Sequence, residues 1–206
     1  MNKLLAFAAA TAAAGFFSLS ANAAVIDFAA EADTNGERGV ASGTQLTVGG
    51  VLVQLDVPMN SSWFPYLDAG DAGLGVCQNL DASNQCVPPS DDNVTIGEDV
   101  KVTFVNGPLV ITGLSFDDID HASLNTDNVG QLIIETNLMA ANTFTFAGAL
   151  AWAAAGQLAS WIRFEFVDTE FYVNAISTIP IPGALPLLLS GLAGLGFASR
   201  RRRKTA

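Results

Sequence analysis

The chain has 206 residues, half of them hydrophobic, with 20 acidic side chains against nine basic ones and a formal net charge of −11 at pH 7. All the acidic residues lie between Asp27 and Glu170; Lys3 and the run Arg200 to Lys204 hold six of the nine basic ones, so residues 24–177 keep only Arg38, Lys101 and Arg163 and carry −17. A body so charged repels nucleic acid and anionic lipid and attracts divalent cations, which excludes nucleic-acid binding as its role.

In chain order the first element is an export leader. Met1 to Lys3 form a short basic region, Leu4 to Leu19 an apolar alanine-rich run, and Ala21-Asn-Ala23 an A-x-A processing site. This predicts a signal peptide over residues 1–23, used by the export machinery and cut by signal peptidase before Ala24. Residues 24–177 then form one domain of ordinary size, able to bury most of its apolar surface. Within it, Gln45–Val48 and Val51–Val57 flank Gly49-Gly50 and read as a hairpin.

Residues 58–99 are rich in Asp, Asn, Gly, Ser and Pro and read as a long surface loop region. Trp63, Phe64 and Tyr66 follow Asn60-Ser-Ser62. Trp63 and Tyr66 are candidates for stacking on sugar rings, the alternative being that Trp63 and Phe64 close one end of the core. The run Asp68-Ala-Gly-Asp71-Ala-Gly-Leu-Gly75 reads as a turn, since it lacks the distal glutamate of an EF-hand. Cys77 and Cys86 are the only cysteines, an even pair in a chain expected to be exported, which predicts a disulfide closing residues 78–85. Two thiols with one histidine in the chain make a poor zinc set.

Val100–Val105 alternates apolar and polar residues, and Leu109–Phe116 resumes after Asn106-Gly-Pro108, which reads as a second antiparallel pair. Further strands fall at Gln131–Thr136, Asn142–Phe146, Trp161–Val167 and Glu170–Ile176, the last two joined by Asp168-Thr169 as another pair. Ala147–Ala155 reads as a short helix. So many short strands predict an all-β domain, an antiparallel β-sandwich of jelly-roll-like kind, flanked by the signal peptide and a C-terminal hydrophobic helix.

Carboxylates gather at the strand ends. Asp91 and Asp92 lead to Glu98, and Asp117, Asp118 and Asp120 precede His121. In an extended chain Asp118 and Asp120 face one side. If the two strands concerned pair, Asp91, Asp92, Glu98, Asp118 and Asp120 form a candidate calcium set, because hard oxygen ligands on irregular loops suit that ion. The plain alternative is a set of solvated strand-end acids. No Gly-x-Ser-x-Gly elbow accompanies His121, and no catalytic set is assigned. A glycosidase needs only two carboxylates, and twenty are available, so that pattern decides nothing.

Residues 178–206 form a separate unit. From Ile179 to Ser199 there is no charge; a membrane-spanning helix is expected over 183–199, followed by the stop-transfer cluster Arg200, Arg201, Arg202, Arg203 and Lys204. Pro180, Ile181, Pro182, Gly183 and Ala184 open it. Motif, apolar run and basic cluster, in that order, resemble the C-terminal sorting signals of the PEP-CTERM class, in the variant whose motif runs Val-Pro-Leu-Pro-Ala. The resemblance implies an inner-membrane-tethered precursor cut near Pro180–Pro182 by an exosortase-type protease, and a body delivered to the cell surface or extracellular matrix of a Gram-negative, exopolysaccharide-making bacterium. The body is more loosely similar to ectodomains that precede such tails, through Gly73-Leu-Gly-Val-Cys77, Cys86, Asp91-Asp-Asn-Val94 and Glu98. The expected function is a non-catalytic module that binds or organises exopolysaccharide. A hydrolase of matrix glycans and a calcium-crosslinked matrix protein are the alternatives.

Overall fold

The computed structural model describes residues 23–181. Ala21, the Pro182-Gly-Ala184 part of the sorting motif, the helix expected over 183–199 and the basic cluster lie outside the described residues. Among those described, no helix is long and apolar enough to cross a membrane.

The elements run β1 (Ala24–Asp27), α1 (Phe28–Asn35), β2 (Arg38–Gly39), β3 (Thr44–Val48), β4 (Val51–Asp56), β5 (Phe64–Asp68), β6 (Gly73–Cys77), β7 (Asp99–Phe104), β8 (Leu109–Asp117), β9 (Gln131–Thr136), β10 (Met139–Thr145), α2 (Phe146–Ala154), β11 (Gln157–Ala159), β12 (Trp161–Phe166) and β13 (Tyr172–Pro180). They form two antiparallel sheets. One has the order β10-β9-β12-β7-β4-β3; the other has the order β11-β8-β13-β6-β5-β2, with β1 also paired to β13. Ala24, the first residue after the expected signal-peptide cut, lies opposite Thr178.

A single apolar core lies between the sheets. Alternation supplies it: Val53 and Leu55 from β4, Val100 and Val102 from β7, Leu132 and Ile134 from β9, and Ile162 and Phe164 from β12 are all fully buried. Phe116 of β8 meets the rings of Phe146, Phe164 and Phe171 edge-on at 5.3, 5.6 and 5.9 Å, an arrangement that ties both sheets and α2 together. Asp27 starts α1 by accepting the Ala30 amide on its side chain at 2.9 Å, and Thr145 does the same for α2 through Gly148 at 3.1 Å.

The hairpin expected around Gly49-Gly50 is present as β3–β4. Two other pairings differ from expectation. β7 and β8 do not pair with each other, nor do β12 and β13; in each case the short connection carries the chain from one sheet to the other. Residues 58–99 are not loop throughout either, since they contain the β5–β6 hairpin. Cys77 and Cys86 are joined as a disulfide.

Candidate functional site

The outer face of the second sheet, away from the core, is built differently from the inner one. Leu67, Leu74, Val76 and Val173 face the core. Alternation therefore turns Tyr66, Asp68, Gly75, Cys77 and Tyr172 outward, where Tyr66 and Cys77 join Cys86 and Leu80 in a small second apolar cluster. The segment around Asp92 is pressed onto this face at Gly75. A Cβ on that glycine would lie 1.9 Å from the Asp92 carbonyl oxygen, so the approach requires glycine. The disulfide, at the end of β6, anchors the same segment.

Three carboxylates from distant parts of the sequence converge there. Ligand oxygens of Glu37, Asp68 and Asp92 all lie within 4.8 Å of one another. Tyr172 donates its hydroxyl to Asp92 Oδ1 at 2.6 Å, and Tyr66 donates to Glu37 Oε1 at 2.5 Å. Gln85 donates from Nε2 to the Glu37 carbonyl at 2.7 Å, tying the disulfide loop to the same place. His121 closes the other side, with Nδ1 2.7 Å from the Gly70 carbonyl oxygen and Nε2 3.4 Å from Asp68 Oδ2. Because a carbonyl only accepts, Nδ1 carries the hydrogen, and Nε2 is the ring nitrogen that faces Asp68.

No lysine or arginine among the described residues offsets this charge. Arg38 pairs with Glu31 at 2.8 Å, Lys101 with Asp56 at 3.5 Å, and Arg163 with Glu165, Glu135 and Asp99 at 2.6, 3.2 and 3.4 Å. Burial, then the neighbouring Asp92 and Glu37, push Asp68 up to about 6, against the opposing pull of His121 and Tyr172. Burial also raises Asp92, although the Tyr172 hydroxyl restrains it. Burial and the facing carboxylates raise both tyrosines, so both hydroxyls remain donors. The arrangement raises the affinity of Asp68 for a proton and offers a cation three oxygen ligands.

Of the five residues expected to share a calcium ion, only Asp92 belongs to this group. Asp91 accepts the Gln78 amide at 3.3 Å beside the disulfide. Its grouping with Cys77 and Cys86 is no metal site, because the two sulfurs are bonded to each other. Glu98 is fully buried, accepts from Thr95 N at 3.0 Å and Gln78 Nε2 at 3.2 Å, and is pushed by burial up to about 7. Asp118 accepts the amides of Asp120 and Ala122 at 2.9 and 2.8 Å and shapes its own turn. Asp120 is exposed. The two strands whose pairing would have joined these residues lie in different sheets.

Neither aromatic candidate offers an open ring: Tyr66 is 1% exposed, and Trp63 is half-buried against the core. Glu37, Asp68 and Tyr172 were not singled out as ligands by the sequence. Asp68 sat in a run whose residues 69–72 do form the β5–β6 turn, and no local signal linked it to residues 37 or 92. No protein-family model, no curated protein and no solved structure matches the chain.

Proposed function

We propose that this is an exported surface or extracellular-matrix protein, tethered as a precursor by its tail and released by an exosortase-type protease, whose jelly-roll-like body is a non-catalytic module that organises exopolysaccharide. The observation that carries the reading is the Cys77–Cys86 disulfide, which persists in oxidising compartments, in a body of charge −17 set between a leader-like N-terminus and a sorting-type tail. Asp68 and Asp92 serve poorly as a hydrolytic pair: Asp68 is 6% exposed and faces His121, and Asp92 is held by Tyr172. Intact-mass measurement on protein from the cell surface tests the sorting half. The expected mass lacks residues 1–23 and everything after the cut near Pro180–Pro182; retention of Lys204 would refute it. Co-sedimentation with the host exopolysaccharide, alongside a reducing-sugar assay, tests the other half. Binding without hydrolysis is expected; sugar release would point to the hydrolase.

A second reading, calcium as a structural partner of this body, is favoured by the convergence of Glu37, Asp68 and Asp92. Calcium bound only to the folded state at a hundred times its Kd adds about 2.7 kcal/mol. Melting temperature should rise more with calcium than with sodium of equal ionic strength, and Asp68→Asn with Asp92→Asn should remove that increment. An increment unchanged in the double variant would place the ion elsewhere.

A further inference from the structure

The described sandwich has five edge strands, and four of them are blunted; one is β1, with four residues. β2 has two residues and β11 has three. The Val48–Gly49 end of β3 abuts β1 and α1: a Cβ on Gly49 would lie 1.8 Å from the Val25 carbonyl oxygen, and Val48 and Gly49 share a shallow hollow with Ala30 and Thr34. β10 differs. It has seven residues with neither charge nor proline, pairs with β9 on one side and with no strand on the other among the described residues, and exposes Ala140 to Thr143 in succession. Its one irregularity is a register shift between Met139 and Asn142. Uncharged edges of this kind invite pairing with another strand; charge, proline, shortness or a bulge ordinarily protects against it, and past the shift the run Asn142–Thr145 pairs regularly with β9.

The surroundings of β10 are equally unusual. From Thr136 to Ile162 not one side chain is charged, in a body of −17. That stretch includes β10, α2 and β11, so it occupies the flank where α2 packs against both β8 and β10. Leu138 is 66% and Leu158 43% exposed, and Trp152 packs half-buried on Phe144 with ring centroids 5.7 Å apart. The acidic groups at its rim are engaged: Glu135 meets Arg163, and Asp127 accepts the amides of Val129 and Gly130.

We propose that β10 is a self-association edge, at which two copies of this chain pair β10 antiparallel to β10 about a two-fold axis and continue the six-stranded sheet across both molecules. Charge selects this occupant. Two bodies of −17 repel one another wherever carboxylates face, and this flank lets them meet without facing charge. The pairing needs neither the tail nor calcium. It also has a distinctive salt response: screening weakens the repulsion between the remaining surfaces while leaving an uncharged seam alone, so added sodium chloride should favour the dimer.

The test uses the full chain in mild detergent. Light scattering after size exclusion should give twice the protomer mass, with a dimer fraction that grows with salt. Thr143→Lys, at an exposed position on β10, should return the protomer mass, whereas Gln45→Lys on β3 should not. Since the native cysteines are joined to each other, Thr143→Cys should give an oxidised, covalently linked dimer and Gln45→Cys should not, a readout that holds even if Thr143→Lys fails to fold. A protomer mass at about 0.1 mM whatever the salt, in the concentration range where strand-edge association becomes visible, would overturn the proposal. So would equal cross-linking at positions 143 and 45.

Discussion

Gly75 holds the candidate site together through what it lacks. The Asp92 carbonyl, carbonyl carbon and the Asn93 Cα would stand 1.9, 2.8 and 2.8 Å from a Cβ there, and all are backbone, so no side-chain rotation relieves the clash. Gly75→Ala must lift residues 92 and 93 off the sheet, parting Asp92 from Tyr172 and leaving a half-buried carboxylate without its donor. A loss of at least 3 kcal/mol in urea unfolding is expected, in the range of the largest single-residue effects. Gly50→Ala is the comparison: its φ of 80° strains any L residue, but nothing lies within 4 Å, so the cost should stay near 1–2 kcal/mol. Equal losses at the two positions would show that the 92–93 crossing is not rigid.

At the level of elements, the disulfide and the hairpins have separate jobs. The Cys77–Cys86 bridge closes a loop of about ten residues, for which chain entropy gives a stabilisation of about 2.5 kcal/mol. Cys77→Ser with Cys86→Ser should lower stability by about that amount and speed amide exchange over residues 78–93, while β7, β9 and β12 keep their protection; general loss of protection would make the bridge essential to the whole core. The strands were legible in the sequence where only one face is buried, as in β4, β7, β9 and β12, since alternation then survives in the residue pattern. β5 and β6 escaped detection because almost every residue in them is buried, on both faces, and glycine and proline take places where β-branched residues would have marked a strand. Alternation also says which side chains face inward but not which sheet a strand joins. Consecutive strands such as β7 and β8 in opposite walls therefore carry the same signature as a hairpin, and the acidic site built on the assumed pairing dissolved with it. α1 was missed although Asp27 marks its start, because eight alanine-rich residues leave little periodicity to read.

For the molecule as a whole, the resolved carboxylate shifts all point upward, at Asp68, Asp91, Asp92, Glu98, Asp99 and Asp117, with burial as the leading cause throughout. A carboxyl whose affinity for protons is raised by folding makes the folded state the better proton binder. Its stabilisation is complete below the unfolded range near pH 4 and fades as pH climbs through the folded value, here about 6 for Asp68 and about 7 for Glu98. The body should thus be more stable near pH 5 than at pH 8, the opposite of a carboxylate held by salt bridges. Glu98→Gln, which keeps an acceptor for Thr95, should flatten the profile and raise stability at pH 8 by about 1–2 kcal/mol. A thermal midpoint that climbs between pH 5 and pH 8 would contradict the sign.

The place of β13 determines how a pull on the molecule is borne. Its register with β8 runs from Tyr172 opposite Asp117 to Pro180 opposite Leu109, and its other edge is occupied by β1 and, at Val173, by β6. A tension entering at Pro180 and resisted at the far pole acts along the strand, so both rows of bonds must slide together, the stiff direction of a sheet. β1 has four residues and pairs with β13 alone in its sheet, so its row is shorter than that of β8. A pull at Pro180 should therefore be shared between the β8 and β1 rows, and the C-terminal end should hold until both give way together.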